Sequence, residues 1–577
     1  MCTGRVRPER YSRGIPSGSW LARAPRRLAA LEWLAVVLTA PFLLFPSVRP
    51  ILTAASLVLL AALWLIRWVV RREPWPVAPF NGALLLFTLA IPVAIWVSAL
   101  PELTLPKATG IVLGLATFRA IAFAVRDRRA LNLALVALCL LGLGIVLGGA
   151  LGAQWAAKIP VLEGLANRIP RLLTSLPDLG ADAINPNQLA GALTLYLPLA
   201  AALVVRWRFH RGGGAVTLPL FAGCLAFLAL VAGALLLTQS RGGWMGGAAG
   251  LLALGMLWGL LARRRWLRVL GAALPLLALL IALSAFLYVG PERVGEALYG
   301  IAQEGVETTI GSVTIQGRLE IWSRALYAIQ DFPFTGCGLG AFRQVVPILY
   351  PLFLTAPDRD IAHAHNIFLQ TALDLGLPGL VAYLALLGVA GATCYRCARR
   401  GSPLLRTVAL GLVAGLVGLH VYGLADALAL GSKPGVAFWF ALGLIAALPR
   451  VADWEATQPW PTVERVHASR ATSPGSRLTQ HFLTHPWLTA ALIVAAIALL
   501  SATIYLGWQT LQQMGVSPGH PTLRLPIYPA AQGVDVRSEA SPADAGWVGS
   551  LEIATFTTTH SITDVVAFYT GALAGAG

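Results

Sequence analysis

Residues 316–379, QGRLEIWSRALYAIQDFPFTGCGLGAFRQVVPILYPLFLTAPDRDIAHAHNIFLQTALDLGLPG, make the longest polar-bearing interval in a chain otherwise built from apolar runs. The interval gathers Arg318, Asp331, Arg343, Asp358, Asp360, His363, His365 and Asn366. Ionisable groups beside membrane spans are costly to keep and mark function. On either side of it, apolar runs of about 18–25 residues, each able to cross roughly 30 Å of hydrocarbon, follow one another almost without pause. Only 12% of the 577 residues are charged and 57% are hydrophobic, whereas a soluble domain carries about 25% charged residues. The chain is therefore expected to be an all-α polytopic membrane protein with about 12–13 transmembrane helices, a large outer-face loop and a small α/β C-terminal appendage.

Working outward from that loop, spans are expected near 29–47, 51–69, 79–98, 105–124, 130–152, 188–205, 215–238, 243–262, 267–289, 366–392, 402–424, 434–449 and 487–507. The net charge of +17 would suggest nucleic acid in a soluble protein. Here the cations sit in short clusters between apolar runs (Arg67/Arg71/Arg72, Arg126/Arg128/Arg129, Arg206/Arg208/Arg211, Arg263/Arg264/Arg265, Arg396/Arg399/Arg400), all on one side of this layout, which is the positive-inside pattern. The expected organisation is a basic cytoplasmic N-terminus (1–28), a transmembrane core (29–450) with its outer loop at 290–365, a Pro/Ser/Thr-rich cytoplasmic linker (451–486), a final span (487–507) and a small outer-face domain (508–577). The first apolar run lacks a convincing cleavage site and reads as a signal anchor. Residues 153–187 read as a partly amphipathic outer stretch ending in NPNQ, either lying along the interface or simply connecting two spans. In the tail, GSLEIATFTTT alternates like a strand, and Ser561 with Asp564 resembles a capping start for a short helix. Of six cysteines only Cys337 falls in an outer loop, so no disulfide is expected there, and the lone C-x-x-C at Cys394/Cys397 has no second pair to complete a zinc site.

Three outer segments carry chemistry. In TQSRGGWMGG, Arg241 interrupts two apolar runs. A mid-membrane Arg costs roughly 2.5–3.5 kcal/mol, so this one belongs at the outer rim, facing protein or a water-filled cavity, with simple interfacial snorkelling as the alternative. In GRLEIWSRALYAIQ, Leu319, Trp322, Leu326 and Ile329 recur at helical spacing, Glu320 and Arg324 form an i,i+4 pair, and Arg318 stands in the first turn, where a cation opposes the helix dipole. An anionic partner, or plain exposure, explains such a residue. The following DFPFTGCGLG is a series of turns and lacks the Lys-Ser/Thr of a nucleotide loop. HAHN (363–366) then opens a span that breaks at GLPG (376–379). His363 and His365 with the nearby Asp358-Arg359-Asp360 could in principle hold a divalent metal, but Arg359 separates the carboxylates and no ligand spacing is distinctive, so no metal is expected.

Four motifs together, SRGGW (240–244), GR-x-x-x-W (317–322), D-x-P-x-x-G-x-G-x-G-x-F (331–342) and HAHN-x-x-L-Q (363–370), resemble the shared core of the bacterial O-antigen ligase and O-antigen polymerase family. His365, Asn366, Gly376 and Gly379 meet the ligases' H-[NSQ]-x9-G-x-x-G pattern. The resemblance covers roughly 185–390; earlier spans agree by hydropathy alone and the tail not at all. It implies a transferase of the inner membrane that moves a glycan from a polyprenyl-diphosphate carrier to an acceptor hydroxyl on the outer leaflet, inverting the anomeric centre, with no metal or other cofactor. The partners it implies are the lipid-linked glycan, a lipid or glycan acceptor, and the membrane.

The residue types suit that chemistry. A diphosphate leaving group needs fixed cations for its developing charge, which Arg241 and Arg318 can supply, and the acceptor hydroxyl needs a base, for which His365 is the candidate, with His363, Asn366, Trp322, Gly376 and Gly379 supporting. Ligase, polymerase and protein O-oligosaccharyltransferase share these motifs. A lipid-linked glycan flippase would instead need ionisable or broken-helix sites at mid-membrane, for which only Asp374 with Gly376 and Pro378 qualifies.

Overall fold

The computed structural model describes residues 20–153, 155, 164, 184–208, 217–289, 315–353, 361–458, 532–540 and 550–557. Within them the apolar runs fold into α1 (Trp20–Leu44), α2 (Pro50–Arg71), α3 (Asn81–Trp96), α4 (Pro101–Ala124), α5 (Arg128–Gly152), α6 (Pro186–Arg208), α7 (Thr217–Leu237), α8 (Arg241–Leu260) and α9 (Arg265–Val289). After the long loop come α10 (Ile315–Asp331), the short α11 (Phe342–Leu349), α12 (Ile367–Arg400), α13 (Pro403–Tyr422) and α14 (Val436–Thr457). Nine of the helical segments among the described residues are long and apolar enough to cross a membrane. The protein is thus a multi-pass helical membrane protein, and each of the first twelve expected spans coincides with a helix. The thirteenth, 487–507, lies outside the described residues, as do most of 153–187 and the helix expected from Ser561.

Local chemistry sets the helix ends. Proline occupies the first turn of α2, α4 and α13, where its missing N–H is no loss. Asp127 caps α5 by accepting from Ala130 N at 2.8 Å, and Ser402 caps α13 through Leu405 N at 3.3 Å. α13 runs through the middle of the bundle against α6, α8 and α12, while α14 packs on α4 and α5. Small residues let these backbones approach: a Cβ on Gly415 would stand 2.3 Å from the Leu195 carbonyl oxygen, and one on Gly246 2.6 Å from that of Gly418. Such close contact is what holds helices together where lipid is as apolar as Leu.

One expected surface cation is instead interior. Arg67, counted above with the basic cluster after the second span, is fully buried and donates from Nε and Nη2 to the Glu32 carboxylate at 2.8 and 3.1 Å. Arg119 joins them through Nη1 at 2.8 Å and reaches the Pro74 carbonyl through Nε at 3.1 Å. The triad ties α1, α2 and α4 together, because buried guanidinium groups must be paired to be tolerated.

Chain direction sorts the helix ends. α4, α6, α8, α12 and α14 begin where α3, α13 and the 331–342 turns end, while their other ends carry Arg126, Arg206/Arg208, Arg263–Arg265 and Arg399/Arg400. The apolar face of α10 is shifted from expectation. Ile321, Ala325 and Ala328 are its fully buried line, and Leu319, Trp322, Leu326 and Ile329 flank it half-buried, with Glu320 and Arg324 paired at 3.9 Å.

The described residues 532–540 and 550–557 belong to a second unit. Its described part is an antiparallel pair, β1 (Gln532–Ala540) and β2 (Ser550–Thr557), in register Ala540 to Ser550 and Val536 to Ala554. β2 is the strand expected from GSLEIATFTTT; its partner β1 was not read from the sequence.

Candidate active site

The site is assembled on a broken helix. Gly376 inside α12 has φ +69° and ψ 178°, which releases backbone groups that an intact helix would satisfy. The 331–342 turns take them up: Cys337 N donates to Leu373 O at 2.8 Å, and Leu377 N to Pro333 O at 2.7 Å. The fit is backbone against backbone. A Cβ on Gly376 would lie 2.3 Å from Phe334 O, and one on Gly336 (φ +69°) 2.3 Å from Leu373 O. The same turns are pinned to neighbouring spans by Leu339 N to Ala94 O at 3.1 Å and by Thr104 Oγ1 to Leu339 O at 2.8 Å. The glycine-rich stretch is therefore a scaffold for α12. Gly379 serves the same break from the other side, with Leu375 against its Cα.

That scaffold carries a polar relay to HAHN. Asp374 Oδ1 accepts from Gly340 N and from Gln370 Nε2, each at 2.9 Å, and Gln370 Oε1 accepts from Ala364 N at 2.9 Å. From the far side Trp322 Nε1 donates to Ala364 O at 3.0 Å. Both ends of the Ala364 residue, between the two histidines, are thereby held. Asn366 is the cap of α12, its side-chain oxygen accepting from Phe368 N at 3.0 Å and Leu369 N at 3.2 Å. Next to it His365 adopts φ +49°, a left-handed conformation that costs a non-glycine residue and persists where surroundings impose it, typically at functional sites.

Both histidines face a residue that sequence reading passed over. Asp426, between α13 and α14, places Oδ1 3.2 Å from His365 Nδ1 and 3.5 Å from His363 Nε2. Ala427 N donates to the same oxygen at 2.8 Å, and the Tyr422 hydroxyl lies between Asp426 Oδ2 (3.1 Å) and Asn187 O (2.7 Å). Burial works against the carboxylate's charge, but the His365 hydrogen bond with the adjoining His363, His365 and Arg318 outweighs it and holds Asp426 below the usual carboxylate range. An ionised Asp426 can only accept, so His365 carries its proton on Nδ1 and keeps a basic lone pair on Nε2. His363 differs. Its Nδ1 accepts from His365 N at 3.2 Å, which leaves the proton on Nε2 and no lone pair to spare. Burial, aided by His365, Lys107 and Arg318 against the pull of Asp426, lowers its pKa to about 3 and keeps it neutral.

Cationic groups adjoin this pair. Arg318 donates through Nη1 to the carbonyl of Ala425, the residue before Asp426. Arg241 opens α8, solvent-exposed, beside Gly242, which lies against Ala425 and Tyr422, and Ser240 caps the helix through Gly243 N at 3.3 Å. His363, His365, Asn366, Trp322 and Arg318 are thus brought together, Arg241 is placed on the adjoining helix end, and Gly376 and Gly379 lie at the helix break behind. Asp358 and Asp360 fall outside the described residues. The group with metal-ligand character among the described residues is a different one, His363, His365 and Asp426.

Fold and site together define a polytopic membrane protein with a His–Asp pair and guanidinium groups at one end of its helical bundle. Residues 225–384 match the family model for O-antigen ligase. That segment, which includes Arg241, Arg318, His365 and the helix break but not Asp426, is the part of the chain similar to the O-antigen ligase family. No curated protein matches the chain.

Proposed function

We propose that the protein transfers a glycan from a polyprenyl-diphosphate carrier to an acceptor hydroxyl at the outer face of the cytoplasmic membrane, with inversion and without metal. The observation that carries this reading is the 3.2 Å contact of His365 Nδ1 with Asp426, which leaves Nε2 as the available base, while Arg318 is bonded to the carbonyl of Ala425, the residue before Asp426. The acceptor oxygen attacks the anomeric carbon from the face opposite the diphosphate, the C–O bond to the diphosphate breaks, and the acceptor proton passes to His365 Nε2. Asp426 orients the imidazole and stabilises the imidazolium as it forms, the role a carboxylate plays behind a catalytic histidine in general. Arg318 and Arg241 take the charge that develops on the leaving diphosphate, which needs no general acid. Outer-face placement rests on the position of the basic clusters at the opposite end of the helices.

Purified protein with a synthetic polyprenyl-diphosphate glycan tests the assignment. General-base catalysis contributes roughly 10²–10⁴-fold, so His365→Ala should lose transfer by that factor while still binding donor; His363→Ala should be milder. Near wild-type transfer by His365→Ala would sink the assignment, and loss of donor binding in that variant would make His365 a diphosphate ligand. The acceptor class is read from deletion: lost lipid-attached polymer marks a ligase, unextended repeat units a polymerase, and unmodified protein an oligosaccharyltransferase.

A further inference from the structure

We propose that His363, His365 and Asp426 also form a reversible inhibitory site for a divalent transition cation of the Zn2+ type. The donor atoms, His363 Nε2, His365 Nδ1 and an Asp426 carboxylate oxygen, all lie within 4.8 Å of one another. A tetrahedral Zn2+ with ligands at about 2.0–2.2 Å spaces them about 3.3–3.5 Å apart. The separations from Asp426 Oδ1, 3.2 Å to His365 and 3.5 Å to His363, already fit. Two imidazoles and one carboxylate are a donor set suited to zinc, and three protein ligands leave a fourth position open. The side chains retain 13%, 19% and 10% exposure for His363, His365 and Asp426, so an ion can reach them from solvent. The carboxylate is oriented by Ala427 N and the Tyr422 hydroxyl, as metal-binding carboxylates commonly are by their outer-shell partners.

The inhibition follows from the tautomers and rests on the reading of His365 as base. When an ion takes the lone pair at Nδ1, the neutral ring must carry its proton on Nε2, the atom that would have accepted the acceptor's proton. Coordination therefore removes the base while leaving every residue in place, with no net proton released from that ring. His363 must likewise move its proton, from Nε2 to Nδ1, and give up the hydrogen bond it accepts from His365 N. That loss, with Arg318 bound one residue from Asp426, limits affinity and makes the ion removable.

The test uses full-length protein in detergent, stripped with chelator, without donor. Titration with ZnCl2 by calorimetry, and with Co2+ by visible absorption, is expected to give one saturable equivalent with low-coordinate Co2+ bands. Affinity should fall at least about tenfold in Asp426→Asn and in His363→Ala, each checked for a cooperative thermal transition. If one variant fails to fold, the other decides. In wild type, zinc should suppress glycan transfer, and excess chelator should restore it. The proposal is overturned if no saturable equivalent binds, if binding survives in the folded variants, or if bound zinc leaves transfer unchanged while His365→Ala abolishes it. Zinc bound as expected, with His365→Ala still active, would uphold the metal site and refute the base assignment.

Discussion

At the scale of single residues, Asp426 changes how the histidines are understood. Neither H-x-H spacing nor composition distinguishes the two rings; their hydrogen bonds do, since His363 spends its lone pair on the His365 peptide N–H and His365 does not. Asp426→Asn should therefore keep the shape of the site while permitting the wrong His365 tautomer, lowering kcat by on the order of 10²–10⁴ with donor KM little changed. Steady-state kinetics in the synthetic-donor assay checks this, and a change confined to KM would count against an orienting role. Under the same reading Arg does for the diphosphate what a metal would, so excess chelator should leave transfer unchanged or raise it. Loss on chelation, reversed by one divalent cation, would refute metal independence. Asp426 was hard to see because it stands alone in ADALALG, some sixty residues from the histidines, with no motif around it. The available sign was a lone carboxylate at the same membrane end as His365.

At the scale of elements, the apolar runs placed the helices well, because twenty successive apolar residues leave a chain in lipid with few ways to satisfy its backbone other than a helix. The break in α12 was legible as GLPG, but not its purpose. Only the structure joins Gly376 to the 331–342 turns and, through Asp374 and Gln370, to Ala364. Gly376→Ala would force a Cβ into a left-handed residue 2.3 Å from Phe334 O. The backbone strain alone costs about 1–3 kcal/mol, and parting two docked backbones adds to it. The expected result is a lowered thermal transition in detergent together with reduced transfer, since the loosened α12 also carries the cap at Asn366. Retention of both would show that the break is incidental. The strand β1 escaped notice for a different reason: QGVDVRSEA offers weak apolar alternation and pairs across a nine-residue separation from β2, so only the partner makes it a strand.

At the scale of the whole molecule, an outer-leaflet transfer requires the His365 end of the bundle to face out. The His365 end carries Arg241, Arg318 and Lys107 among its cations, whereas Arg126, Arg128, Arg129, Arg206, Arg208, Arg263–Arg265, Arg399 and Arg400 crowd the other. Short-loop cations are held on the cytoplasmic side during insertion, so this asymmetry predicts an orientation that can be tested. Arg67 and Arg119 do not belong in that tally, since both are buried on Glu32, yet the bias survives without them. The expected outcome is that residues 290–365 and 508–577 are reached from outside the cell and 451–486 from inside. Single-cysteine variants in a background lacking the native cysteines, treated with a membrane-impermeant maleimide, test each segment. A cysteine at Ser312 should label in intact cells, and one at Ser469 only after lysis. Labelling of Ser469→Cys in intact cells would invert the linker, and with silence at position 312 would place the His365 end in the cytoplasm, where an outer-leaflet transfer could not occur.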